Sequence, residues 1–321
     1  MTTPAAQDNR PPVPPALVIV VGILAVSTAS IFIRYAQRDA PSLVIAAWRL
    51  TLASLVLAPV VYARHRPELR GLHRRDLLLA LLSGAFLAVH FATWISSLAY
   101  TTVASSVVLV TTTPLWVGML SPLFLRENPT RAVVIGMAFT LVGSTFVALG
   151  DSCSFSGLGL SCPSWAVFAG QRALLGDFLA LMGAWAAAGY FMIGRRLRAR
   201  TSLVTYIFLT YGMAALVLVA LMFLFGYSPF GYRPQTYLFF LLLALVPQLL
   251  GHSSFNWALR YLSAAFVAVT LLGEPVGSTV LAYFLLHEVP TPVSLFGAIL
   301  ILVGIAVAAT GNTDTPVGTP A

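Results

Sequence analysis

The sequence predicts an all-α polytopic membrane protein, with ten transmembrane helices arranged as two inverted five-helix repeats. Three observations lead there: the composition, the number and length of the apolar runs, and a repeat in fixed register. Of 321 residues, 59% are hydrophobic and only 9% are charged, and the mean hydropathy is +0.90. A soluble domain carries about 25% charged residues, so an ordinary water-soluble fold is excluded. A bilayer crossing takes ~20 mostly apolar residues, and ten crossings fit this length with short connections to spare.

Taken in order, residues 1–15 are polar and Pro-rich and predict a disordered cytoplasmic tail, with Pro15 tolerated at a helix start. The apolar run from Ala16 is long and lacks a small-residue cleavage site, so no removable signal peptide is expected. Five spans follow: Ala16 to Ile33, Pro41 to Tyr62, Leu77 to Leu98, Val103 to Leu125 and Ala132 to Leu149. Five more run Leu174 to Ile193, Leu203 to Phe225, Thr236 to Leu259, Ala264 to Leu286 and Pro292 to Thr310. None shows the ten-residue alternation of an outer-membrane barrel, so these are helices.

All 18 cationic residues are Arg, and the net charge is +8. They sit in short runs between apolar segments, which is a topology signal and not a nucleic-acid surface. With ten crossings, thirteen fall on one side (Arg10, Arg260 and the runs near Arg64, Arg126 and Arg195), against Arg34, Arg38, Arg172 and Arg233 on the other. The bias predicts a multi-pass protein of the cytoplasmic membrane with both termini in the cytoplasm.

Shifted by 161 residues, the third-to-fifth spans overlay the eighth-to-tenth without a gap. Tyr100 meets Tyr261, Pro114 meets Pro275, and Glu127, Pro129 and Thr130 meet Glu288, Pro290 and Thr291. Gly136, Gly143 and Gly150 meet Gly297, Gly304 and Gly311. The first two spans follow at a shift of 160, with Ser42, Leu43 and Val44 on Ser202, Leu203 and Val204. Five is odd, so the second copy inserts upside down. The predicted organisation is a first repeat over 16–150, an extracytoplasmic loop over 151–173, a second repeat over 174–311 and a cytoplasmic tail over 312–321. Inverted repeats of this kind place a solute site near the midplane, between the halves.

The stretches TTTPLWVGMLSPLFLRENPT and LLGEPVGSTVLAYFLLHEVPT resemble the paired signatures of the EamA family, within the drug/metabolite transporter superfamily. The Gly-spaced last span of each half and Trp48-Arg49 fit the same pattern, and the resemblance runs from Ala16 to Gly311. One departure is Leu-His-Glu at the end of the second signature, where the family commonly has Leu-Gly-Glu. The resemblance implies a ten-helix carrier of small metabolites, often amino acids or related compounds, usually exporting them.

Ionisable groups at membrane depth are costly, so each is a candidate for binding. Glu274 lies about ten residues into its span and precedes Pro275, which frees an upstream carbonyl. Arg49 lies about eight residues into the second span; it either pairs with Glu274 or receives a substrate carboxylate, and helix-packing glue is the plain alternative. His90 and Trp94 share a helix face, and Gln248, His252 and Asn256 form a polar stripe on the equivalent helix of the other half. These stripes are expected to line the solute path. Trp116, Trp185 and Tyr190 are further candidates for its wall. Pro114 and Pro275 are expected to serve as hinge or packing residues, with Thr111, Thr112 and Thr113 satisfying freed carbonyls. Gly136, Gly143, Gly297 and Gly304 read as close helix packing, and Glu127 and Glu288 as turn markers.

Cys153 and Cys162 are the only cysteines, both in the loop predicted outside, where a disulfide would persist. No phosphate-binding G-x-x-x-x-G-K-[ST] run occurs, and His287-Glu288 does not extend to H-E-x-x-H. No metal site, cofactor, nucleic-acid partner or enzymatic role is expected. The predicted function is secondary transport of small neutral or zwitterionic metabolites by alternating access, in the direction of export. A channel-like facilitator and an intramembrane enzyme using Glu274 and His90 are the alternatives. Proton coupling and oligomeric state are left open by the residues.

Overall fold

The computed structural model describes residues 11–97, 100–101, 103–152, 154–156, 159–161, 171–286 and 289–311. Cys153, Cys162 and Glu288 lie outside the described residues, as do most of both tails. Apart from a short hairpin pairing Ser154–Ser156 with Gly159–Ser161, the regular structure is helical.

The first half holds α1 (Pro15–Ser27 and Ala29–Ala36), α2 (Ser42–Val60, running on through Val61–His65 and Arg66–Gly71) and α3 (Arg74–Ser97). It continues with α4 (Val103–Val110 and Thr113–Phe124) and α5 (Arg131–Ser152). The second half repeats the order in α6 (Gln171–Arg198), α7 (Leu203–Leu224), α8 (Pro234–Leu243, Ala244–His252 and Ser253–Ala258), α9 (Ala264–Leu271 and Glu274–Leu286) and α10 (Pro292–Thr310). Among the described residues, nine helices are long and apolar enough to cross a membrane. The expected tenth, α5, qualifies over Arg131–Val147 only as a shorter apolar helix.

Local chemistry sets the helix starts. Prolines occupy the first turn of α1, α8 and α10, where the missing N–H costs nothing. Ser202, Ser263 and Thr291 cap α7, α9 and α10 by accepting from the backbone N–H three residues on. Leu55, Leu123, Leu216, Phe284 and Ile299 are exposed around the bundle, a surface that suits lipid and not water.

Helix breaks fall close to the two prolines expected to act as hinges. The fourth breaks at Thr111–Thr112 and the ninth at Leu272–Gly273, just before Pro114 and Pro275. Thr111, Thr112 and Thr113 donate their hydroxyls to the carbonyls of Val108, Leu109 and Val110 at 3.0, 2.6 and 2.8 Å, so hydroxyls supply the bonding that the broken ladder lacks. In α8, Pro247 lies within a π-helical stretch, Ala244–His252, where the wider turn accommodates a residue that cannot donate.

The helices pair as an inverted repeat requires. α3 packs on α6 and α8 on α1; α2 packs on α7, α4 on α9 and α5 on α10. Exchanging the two halves maps this set of pairs onto itself. The α5–α10 crossing shows it at residue level. A methyl added to Gly304 would lie 2.7 Å from the Gly136 carbonyl, and one added to Gly297 would lie 2.5 Å from the Gly143 carbonyl. As residue numbers rise along α5 they fall along α10, so these helices are antiparallel. With Gly136 equivalent to Gly297 and Gly143 to Gly304, the two contacts are one contact seen twice, the signature of a pseudo-two-fold axis. Close approach of backbones at small residues is how membrane helices gain packing energy.

Candidate functional site

Arg49 is the organising residue. It sits on α2, buried to 2% exposure, and its Nε–H donates to Gln248 Oε1 on α8 at 2.8 Å. Its guanidinium carbon lies 4.5 Å from the centre of the Phe91 ring on α3, a cation–π contact. Phe91 in turn meets the His252 ring edge-on at 5.6 Å. One cation therefore gathers α2, α3 and α8, helices from both halves.

The expected direct pair with Glu274 does not form. No ion pair within 4 Å joins the two residues among the described ones, and Arg49 spends its Nε–H on Gln248. Glu274 instead stands at the first turn of the second segment of α9, where a helix N-terminus favours negative charge, and its backbone carbonyl accepts from Ser27 Oγ on α1 at 3.2 Å.

The polar residues of α8 are tied together by hydrogen bonds. Asn256 Nδ2 donates to Tyr190 Oη at 2.5 Å, to the His252 carbonyl at 2.9 Å and to Tyr211 Oη at 3.3 Å. Tyr211 Oη is also 3.2 Å from Ser253 Oγ and 3.5 Å from the Gln248 carbonyl. On α3, His90 Nδ1 is 2.9 Å from the Gly183 carbonyl, which can only accept, so Nδ1 carries the hydrogen and Nε2 is left as an acceptor. The His90 ring stacks on Trp94 at 5.9 Å and lies 5.0 Å from Phe91. His90, Trp94, His252 and Glu274 are each partly exposed.

Trp116 and Trp185 fall elsewhere. They form an edge-on ring pair at 5.4 Å, with Trp185 41% exposed and Trp116 Nε1 donating to Thr112 Oγ1 at 3.1 Å. No hydrogen bond or ring contact joins this pair to the Arg49 cluster among the described residues. Tyr190 does join it, through Asn256. Sequence reasoning missed Phe91 and Tyr211, which look like packing residues on apolar helices. It also took Glu127 for a turn marker, whereas Glu127 Oε1 is 2.6 Å from Arg195 Nε on α6.

Among the described residues, four buried polar atoms of this cluster have no partner: Arg49 Nη2, Gln248 Nε2, Asn256 Oδ1 and Trp94 Nε1. Buried polar atoms are nearly always paired, so a group of orphans where the two halves meet is a candidate place for a guest. Among the described residues, no cluster of His, Cys, Asp and Glu could hold a metal ion.

A lipid-facing helical bundle with a polar cluster sealed between pseudo-symmetric halves defines a membrane transport protein. The EamA-like transporter family model matches residues 14–149 and 174–310, and the chain belongs to this family. It is 22% identical over 291 residues to an uncharacterized transporter of Archaeoglobus fulgidus, covering 90% of this chain and 95% of that protein. It is 26% identical over 289 residues to the pseudopaline exporter CntI of Pseudomonas aeruginosa, covering 89% of this chain and 93% of that one. A solved crystal structure superposes with a TM-score of 0.72 at 18% identity, over 92% of this chain and 97% of the other, a likeness of fold alone.

Proposed function

We propose that this transporter is a carrier that exports small neutral or zwitterionic metabolites, amino acids or their relatives, across the cytoplasmic membrane by alternating access. The observation that carries the reading is the exchange symmetry of the helix pairs, with Arg49 and Gln248 bonded across the seam at 2.8 Å. A packing that maps onto itself when the halves are swapped has an inverted counterpart of similar energy, and the cluster at the seam then faces either side in turn. Export is supported by the likeness to the Pseudomonas relative, a pseudopaline exporter. Both termini are assigned to the cytoplasm on the arginine bias.

One intramembrane Arg and no Lys suit a single carboxylate better than a polyphosphate. Glu274, with its partial exposure and helix-start position, suits an amine or a proton. Flux into proteoliposomes of the full chain tests the carrier reading. Saturable uptake accelerated by unlabelled amino acid on the opposite side is the expected result. Non-saturating flux without such counter-exchange would establish a channel-like facilitator instead.

A further inference from the structure

Arg49, Gln248 and Asn256 are 2%, 0% and 1% exposed, and each carries a polar atom without a partner among the described residues. Their hydrogen-bond directions are fixed. The Arg49 Nε–H can only donate, so the amide oxygen of Gln248 must face it, and Gln248 Nε2 is turned away with its hydrogens unspent. Arg49 Nη2 lies on the same edge of the guanidinium as Nε, and it too is unspent. Asn256 Nδ2 must face the His252 carbonyl, so its Oδ1 is the orphan, an acceptor. The Tyr211 hydroxyl, 3.5 Å from the Gln248 carbonyl and 3.3 Å from Asn256 Nδ2, stands between the two sites.

We propose that Arg49 Nη2 and Gln248 Nε2 form a subsite for a free carboxylate, and that Asn256 Oδ1 accepts from an ammonium N–H of the same molecule, which makes the solute a zwitterionic amino acid. The inference rests on the carrier reading and names the chemistry of its site. Two donors, one of them charged, match the two oxygens of a carboxylate. A primary amide at that end would turn N–H groups toward donors and bury a further mismatch, which disfavours it. Gln248 acts as a positioning residue as well as a donor, because its oxygen fixes the guanidinium edge.

The test uses the purified full chain and each of the twenty proteinogenic amino acids, beside the carboxamide of each, read by the shift in melting temperature. Free acids are expected to raise the melting temperature and their carboxamides to fail, with at least a tenfold difference in half-saturating concentration. Gln248→Met is expected to keep the unliganded melting temperature within a few degrees and to erase the acid-over-amide preference. Because the wild-type comparison needs no variant, a misfolded Gln248→Met leaves the test intact. Equal stabilisation by acids and amides, or by neither, overturns the carboxylate subsite. Proteoliposome flux separates the two levels: counter-exchange without acid preference sinks the subsite and leaves the carrier standing, whereas no counter-exchange of any solute sinks the carrier.

Discussion

Arg195 and Glu127 clasp the two halves at one end of the bundle: Arg195 Nε donates to Glu127 Oε1 at 2.6 Å, from α6 to the end of α4. The same guanidinium donates through Nη1 to the carbonyls of Leu259 and Arg260 at 2.8 and 3.1 Å, and Glu127 Oε2 accepts from the Ala264 N–H at 3.3 Å. The clasp thus reaches the α8–α9 turn of the second half. Arg126 beside it adopts a left-handed backbone, φ 58°, which turns the chain out of α4 and presents Glu127. This end is the one we assign to the cytoplasm.

Glu127→Gln is expected to loosen that clasp. Arg195 is 4% exposed and would exchange an ion pair for a bond to a neutral amide oxygen. With Glu127 itself 22% exposed, solvent softens the loss to about 1–2 kcal/mol. Hydrogen exchange should speed up across 121–127 and 259–264 and stay unchanged in the α5–α10 crossing. Unchanged exchange in both regions would show that the clasp is dispensable.

Gly304→Ala and Gly212→Ala are expected to move stability in opposite directions. A methyl at 304 would lie 2.7 Å from both the Gly136 carbonyl and Thr140 Cγ2, so α5 and α10 must separate, at about 1–3 kcal/mol. A methyl at 212 meets nothing within 4 Å in the middle of α7, so helix propensity alone acts, a gain of up to about 1 kcal/mol. Melting temperatures in one detergent compare the pair directly.

Arg49→Lys and Arg49→Ala should both lower counter-exchange by at least tenfold, equivalent to about 1.4 kcal/mol or more in solute binding. Lysine keeps the charge but not the fork that bonds Gln248, so charge alone is not expected to rescue. Wild-type flux in Arg49→Lys would show that position 49 needs only a cation.

Stability should respond to acid at Asp39, in the turn between α1 and α2. Its Oδ2 accepts from the Arg233 backbone N–H at 2.7 Å and from Thr236 Oγ1 at 2.8 Å, and these bonds hold its carboxyl below the usual carboxylate value. A lowered folded value means that the contribution is present above the unfolded value, about 3.9, and is lost as pH falls through the folded one. Asp39→Asn should therefore flatten that part of the acid limb of a melting-temperature profile. An unaltered profile would remove Asp39 from the account.

The polar members of the site were legible because lipid makes them conspicuous: Arg49, His90, Gln248, His252, Asn256 and Glu274 stand out from apolar surroundings. Their partners were not. Whether Arg49 turns to Glu274 or to Gln248 depends on the rotation of α2 against α8, which periodicity along one helix does not contain. Trp116 and Trp185 pointed to the site by residue type alone, and packing put them together elsewhere. The helix breaks before Pro114 and Pro275 were half visible, since proline marks the place but not whether the helix bends or parts.

What the sequence determined by itself was the solvent, the fold class and the duplication, because burial in lipid is a property of whole segments and a repeat is a property of register. Only the tertiary structure decided which polar atoms meet, which are left unspent, and that Glu127 is a clasp. Those outcomes depend on ångström-scale distances between helices far apart in the chain, where a rotation of one helix exchanges one hydrogen-bond partner for another.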